Sequence, residues 1–197
     1  MIRAARNMPD LTNPHRLDRH TTGVMIFTKT IDAYRRVTEQ FRERQTRKIY
    51  TAICRGNPAP QIIDLPIGDV PDTPRLSRID HKNGKPSRTM VRVTEEYRGY
   101  SLLEVEIETG RQHQIRVHLQ AIGHPLVGDA DYGGVPLLLS QIKKKYRAKE
   151  GEEERPLLAR PALHATEITL TNPAVTIRAP LPKDMEVALK YLRKFAA

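Results

Sequence analysis

His15-Arg16-Leu17-Asp18-Arg19-His20-Thr21-Thr22-Gly23 leads directly into the apolar Val24-Met25-Ile26-Phe27. A single acid lies between Arg16 and Arg19, with a histidine beyond each, just ahead of a run from Gly23 to Thr28 that reads as a short buried strand. A carboxylate in that setting is an odd choice unless it has a task, and we read Asp18 as catalytic. The rest of the chain is organised around it.

At 197 residues and 22.5 kDa the chain fits one domain, 1–197, long enough to bury a core. No apolar run approaches the roughly 18 residues of a membrane span. The first residues, with Arg3, Arg6 and Asp10, lack the apolar block of a signal peptide. Cys54 is the only cysteine, so there is no intramolecular disulfide and no thiolate metal cage. These features predict a cytoplasmic protein with no membrane association. The formal net charge is +10 and the pI about 9.9, which makes nucleic acid the expected partner. Residues 1–60 hold twelve Lys/Arg against five Asp/Glu, so the excess surrounds the opening motif.

Residues 1–14 carry Pro9, Asn13 and Pro14 and read as an irregular lead-in. Thr30 is placed to cap a helix with Ala33, Val37 and Phe41 on one stripe and Arg35, Arg36, Arg42 and Arg44 off it. Lys48 to Cys54 is rich in β-branched and aromatic residues and predicts a strand. Six prolines between 57 and 87 predict a long loop region with short strands. Arg88 to Tyr97 and Tyr100 to Glu108 read as a hairpin turning at Arg98-Gly99; in its second strand Leu103, Val105 and Ile107 alternate with wet glutamates. Thr109 with Gln112 has the form of a capping box, so a helix is expected to start there, with Ile115, Leu119 and Ile122 inward. A basic helix is expected over 137–149, then a solvated, mobile insertion at Gly151-Glu152-Glu153-Glu154. Strands follow at Leu163 to Leu170 and Val175 to Ile177, and a helix after Pro182. Strands and helices do not alternate regularly, which favours an α+β fold with a mixed, mostly antiparallel sheet. Neither GxGxxG nor a P-loop is present.

Besides Asp18, two segments are loaded with polar groups: the strand bearing Tyr50, and Gly110-Arg111-Gln112-His113-Gln114-Ile115-Arg116-Val117-His118. At helical spacing Gln112 and Arg116 share a face, from which Arg116 can reach a carboxylate and hold it ionised. His113 and His118 are five apart, off the four-residue spacing of paired helical ligands, so no metal site is expected. For His15 and His20, lining the loop is the simpler reading.

In order and spacing, the Asp18 motif, Lys48-x-Tyr50-x-Ala52, the Gly110–Leu119 segment, Gly123-His124-Pro125-x-x-Gly128-Asp129-x-x-Tyr132-Gly133 and Leu163-His164-Ala165 resemble the RluA-type RNA pseudouridine synthases over about residues 15–180. The resemblance implies that family's catalytic fold: a sheet flanked by helices around a central RNA-binding cleft. It also implies isomerisation of uridine to pseudouridine in structured RNA, ribosomal or transfer, without cofactor, metal or obligatory protein partner. Motif by motif it makes Asp18 the catalytic aspartate, Tyr50 the aromatic that stacks on uracil and is proposed to take the C5 proton, and Arg116 the partner of the aspartate. Arg16, Arg19, Arg35, Arg36, Arg111 and His113 are the candidate RNA contacts. Two departures stand out. His20-Thr21-Thr22-Gly23 replaces the usual acidic residue and Thr-Ser-Gly. The strands with Lys-Pro-x-Gly that normally precede the aspartate loop, and the S4-type domain of many relatives, are absent from these residues, so a less protected sheet edge, reduced stability or self-association is expected. Two other classes remain open: an RNA-binding protein without catalysis, and a nucleoside or glycoside hydrolase drawing a second acid from Asp129 or Asp131.

Overall fold

Strand β2 (Arg47–Arg55) is the spine of the molecule. It pairs antiparallel with β7 (Tyr100–Ile107) on one side and with β8 (Leu163–Thr171) on the other. The computed structural model describes residues 11–147 and 153–197. The other strands of the main sheet are β1 (Thr22–Gly23), β3 (Gln61–Asp64), β6 (Arg88–Tyr97) and β9 (Ala174–Arg178). Their order around the spine is β1-β8-β2-β7-β6-β3, with β9 also on β8. The β1–β8 pair is parallel, and every other pair in this sheet is antiparallel. Strands β4 (Ile67–Val70) and β5 (Thr73–Ile79) form a separate hairpin in the proline-rich region, where a loop with short strands was expected.

Among the described residues four α-helices flank the sheet: α1 (Ile31–Arg42), α2 (Gln114–Ala121), the single turn α3 (Leu139–Ile142) and α4 (Lys183–Phe195). Helix α4 buries Met185, Leu189 and Leu192 against Ile53 and Leu102, while α2 buries Ile115 and Leu119 against Ala52, Leu103 and Val105. Both faces of the central strands are therefore covered at one end, and the expected α+β class holds. The wet face of β7 is confined to Glu104 and Glu106, which pair with Arg92 and Arg47. Thr30 caps α1 as its sequence demands, its side chain accepting from Ala33 N at 3.2 Å. No helix among the described residues is long and apolar enough to cross a membrane.

Three expected elements are corrected. The run from Gly23 to Thr28 is not a strand beyond Gly23. Val24 N still donates to Ala165 O at 2.9 Å, but from Glu167 onward the free edge of β8 is taken by β9, so the run peels away and forms an isolated bridge from Thr28 to Thr12. The helix expected from Thr109 begins at Gln114 instead. Gln114, not Gln112, folds back: its Oε1 accepts from Thr109 Oγ1 at 2.7 Å and from Arg111 N at 3.1 Å, which leaves 109–113 as a turn. The basic helix over 137–149 shrinks to Leu139–Ile142. Lys143 turns extended and Lys145 adopts φ +59°, and residues 143–147 bury no apolar stripe that would hold a helix to the sheet; residues 148 and 149 lie outside the described residues. Of the expected acidic insertion, Gly151 and Glu152 also lie outside them, and Glu154 is engaged, its carboxylate accepting from Ser140 N at 2.8 Å.

Candidate active site

One dipeptide of β8 sets the position of two site segments at once. His164 and Ala165 pair with Thr22 and Gly23 on one side and with Thr51 and Tyr50 on the other. Gly23 allows this approach: its φ is +123°, and a Cβ there would sit 2.2 Å from Ala165 O. The Thr22 hydroxyl lies 2.8 Å from His164 Nδ1. The Asp18 turn closes through Thr21 N donating to Asp18 O at 3.0 Å, with His20 in the left-handed region at φ +71°. Arg160 holds the far side of the turn. It donates to His20 O at 3.2 Å while gripping both carboxylate oxygens of Asp184. Opposite Tyr50 the β8 register skips a residue, a bulge of the kind that re-aims side chains beside active sites.

Asp18 and Tyr50 line one cavity of about 290 Å³, with Thr21, Gln114 and the guanidinium-bearing Arg16 and Arg111. Burial, and then the Asp18 carboxylate, push the Tyr50 phenol up to about 12, so it is protonated throughout the physiological range. The Thr21 hydroxyl is buried and has no hydrogen-bond partner among the described residues. Two larger cavities adjoin this one. One of about 470 Å³ shares Arg16, Tyr50 and Arg111 with it; another, of about 650 Å³, is lined by Arg16, Arg19, His20, His113 and Arg116.

Arg116 is bonded to Asp129 and Asp131, and among the described residues it forms no hydrogen bond or ion pair with Asp18. Its guanidinium is 4% exposed and grips Asp129, itself 1% exposed, through Nε–Oδ2 at 2.7 Å and Nη2–Oδ1 at 2.6 Å. A third hydrogen bond reaches Asp131 at 3.0 Å, and the group stacks over the Tyr132 ring at 4.7 Å. Burial opposes its charge, yet the two carboxylates hold its pKa above the ordinary value. Because α2 starts at Gln114, Gln112 and Arg116 share no helical face, and Arg116 turns instead to the loop at 128–132. The cations that line the Asp18 cavity are Arg16 and Arg111. In the sequence Asp129 and Tyr132 stand in one motif of the resemblance, and Asp129 and Asp131 were otherwise weighed only as hydrolase acids; the place of all three in one short loop, next in order after the Arg116 segment, was the available signal for a partner of Arg116.

The remaining candidates divide. Arg19 and His113 line the 650 Å³ cavity. His113 has φ +54° and sits with Nδ1 2.8 Å from the Tyr132 hydroxyl, which also accepts from Ser77 N at 2.9 Å. Burial lowers the His113 pKa although Asp18 acts to raise it, so it too feels the Asp18 charge. Arg35 and Arg36 are exposed on α1 and line none of the three cavities. His15 is a strut: it stacks on Phe41 at 4.9 Å, and its Nε2 accepts from Ile26 N at 2.9 Å. His118 is a core residue, 2.9 Å from Thr89 Oγ1 and 3.0 Å from Leu65 O.

The cavity thus joins an acid, a half-buried phenol and two arginines, and the chain that forms it is similar to several known proteins. Residues 2–121 match the sequence model of a family described as RNA pseudouridylate synthase. The chain is 38% identical over 185 residues to the ribosomal large subunit pseudouridine synthase D of Nitrosomonas europaea, covering 91% of this chain and 50% of that protein. To the Escherichia coli protein of the same name it is 38% identical over 189 residues, covering 91% and 55%. The chain thus spans about half the length of these curated relatives. Among solved structures, human RNA pseudouridylate synthase domain containing 1 superposes with a TM-score of 0.70 at 29% identity, covering 89% of this chain and 71% of that one. Human RNA pseudouridylate synthase domain containing 4 gives 0.73 at 25% identity, covering 97% and 80%. The matched segment takes in the Asp18 loop, Tyr50 and the whole of α2, and the chain belongs to the RNA pseudouridylate synthase family, of the RluA type.

Proposed function

We propose that residues 1–197 form one catalytic domain that isomerises uridine to pseudouridine in structured RNA, with ribosomal RNA the favoured substrate because the similar bacterial enzymes are named for the large ribosomal subunit. The observation that carries this reading is the placing of Asp18 and Tyr50 in one 290 Å³ cavity beneath Arg16 and Arg111. Breaking the N-glycosidic bond builds positive character at ribose C1′. A carboxylate there either attacks that carbon or removes the C2′ proton, and Asp18 has this role. The freed uracil must turn and rejoin through C5 without escaping, which calls for an enclosed pocket and a flat wall. Tyr50 is that wall. Taking the C5 proton would require its phenol to be ionised first, which burial and Asp18 both oppose.

Arg111, which shares the cavity, rather than Arg116 is the cation assigned to face the Asp18 carboxylate, and Arg16, Arg19 and His113 line the path for the flanking strand. A base within folded RNA reaches the cavity only by extrusion from its stack. The hydrolase reading loses support, since Asp129 and Asp131 are both engaged by Arg116 and neither lines the Asp18 cavity.

The test is to incubate the protein with RNA, digest to nucleosides and separate them by chromatography. A mass-neutral isomer of uridine that disappears in Asp18→Asn, while RNA binding persists, is the expected result. Free uracil would mean a hydrolase, and binding with no product would mean an RNA-binding protein.

A further inference from the structure

Beside the Asp18 cavity lies the second one, of about 470 Å³, within the range of about 300–1,000 Å³ typical of ligand sites. Arg16, Tyr50, Ile107, Gly110 and Arg111 line both, so the two open into each other. Its polar side is cationic: Arg42, Arg44 and Lys48 join the two shared arginines against one carboxylate, Glu108, which is itself drawn to Arg88 at 3.3 Å. Its apolar side is formed by Pro14 and the stacked pair His15–Phe41. A charged wall facing an aromatic one suits a nucleotide.

Lys48 gives the pocket its point. Alternation along β2 puts it on the same face as Tyr50, one pleat away. It is 7% exposed, and its ammonium donates to the backbone oxygen of Glu108 at 3.3 Å; among the described residues it forms no ion pair with a carboxylate. Burying an ammonium without a counter-charge is costly. Burial, and then Arg44, lower its pKa to about 8, a direction that an arriving anion would reverse. Arg42 is already paired with Glu39 and Glu43, which leaves Lys48 and Arg44, among the described residues, as the unpaired cations that this pocket does not share with the Asp18 cavity.

We propose that this pocket is a nucleotide subsite. It takes the residue adjoining the target uridine, with the phosphate on Lys48 and Arg44 and the base against Phe41 and His15. The subsite rests on the reading of the Asp18 cavity as the uridine site, since a phosphodiester link is what would make neighbouring cavities fill together. Its effect is to fix the strand on one side of the extruded base.

The experiment measures binding of a fluorescein-labelled nine-nucleotide oligouridylate to the full chain over a range of salt. For single-stranded nucleic acid, each phosphate that a side chain no longer neutralises reduces the slope of log K against log salt by about 0.7. Lys48→Met keeps the buried stem, Arg44→Gln alters an exposed position, and Lys190→Met on α4 serves as a control for net charge. The subsite predicts that each pocket variant loses about 0.7 of slope and about ten-fold in affinity, while the control stays near wild type. Unchanged slopes in both pocket variants overturn it, as does absence of saturable binding by the wild type. Slope changes in the pocket variants of a protein that makes no pseudouridine would sink the proposed chemistry and keep the subsite. Pseudouridine formation with unaltered binding in both variants would do the reverse.

Discussion

Replacing Arg116 by methionine separates two accounts of that residue. In one it holds the catalytic aspartate; in the structure it holds Asp129 and Asp131. Removing it leaves the Asp129 carboxylate, fully buried, without its bidentate partner. Breaking a buried pair from one side costs about 3–5 kcal/mol, because the orphaned charge keeps its desolvation penalty. For a domain of this length each kcal/mol moves Tm by about 2–4 °C, so Arg116→Met should melt roughly 10 °C lower by circular dichroism. Adding Asp129→Asn removes the stranded charge and should recover part of the loss, a non-additivity expected of directly bonded groups. Arg111→Met, by contrast, should change stability by no more than about 0.5 kcal/mol while abolishing isomer formation. An Arg116→Met protein that melts within about 2 °C of wild type yet makes no pseudouridine would refute the strut and restore Arg116 to Asp18.

Three further outcomes are expected. Gln40 is buried on α1, accepting from Thr171 N and Asn172 N and donating to Asn172 O, so Gln40→Leu strands three backbone groups and should cost about 3 kcal/mol; a loss under about 0.5 kcal/mol in urea titration would contradict this. Gly23→Ala puts a Cβ into Ala165 O and should slow single-turnover pseudouridine formation at least about ten-fold while the far-ultraviolet spectrum is kept; an unaltered rate would show that the β1–β8 pairing does not position Asp18. His15 has a pKa of about 4 in the fold against 6.5 when unfolded. The unfolded chain therefore binds more protons between those values, and the stability present above pH 6.5 is lost as pH falls toward 4. Discounted for partial exposure, the loss is about 2 kcal/mol. His15→Gln, which cannot titrate, should flatten that part of the urea-midpoint profile, and parallel profiles for the two proteins would count against the assignment.

What could be read from the sequence was local. Thr30 caps α1 because a hydroxyl three residues before an amide is a short-range matter, and the β6–β7 hairpin follows from alternation around Arg98-Gly99. Asp18 and Tyr50 stood out by type and company, and the structure places both in one cavity. The partner of Arg116 was not legible, because it depended on where α2 begins, and that in turn on Gln114 rather than Gln112 folding back to Thr109. Gln40 was hidden for a similar reason. Its hydrogen bonds reach 131 and 132 residues along the chain, to backbone that no local pattern places beside it. Lys143-Lys144-Lys145 misled in the other direction, since good single-residue helix propensity hid the lack of an apolar stripe after Ile142.

The shared dipeptide His164-Ala165 also has a consequence in time. A ribosome delivers Asp18, Tyr50 and Arg111 well before it delivers β8, and until that strand is in place the first two have no common frame. Pairings that span more than a hundred residues close late, after the local hairpins and helices have formed. Under the proposed function, the nascent chain is expected to make no pseudouridine until β8 is in place. Because Leu163 of β8 also lines the Asp18 cavity, a refolding assay that follows pseudouridine formation is expected to report the completion of the sheet rather than the appearance of its parts.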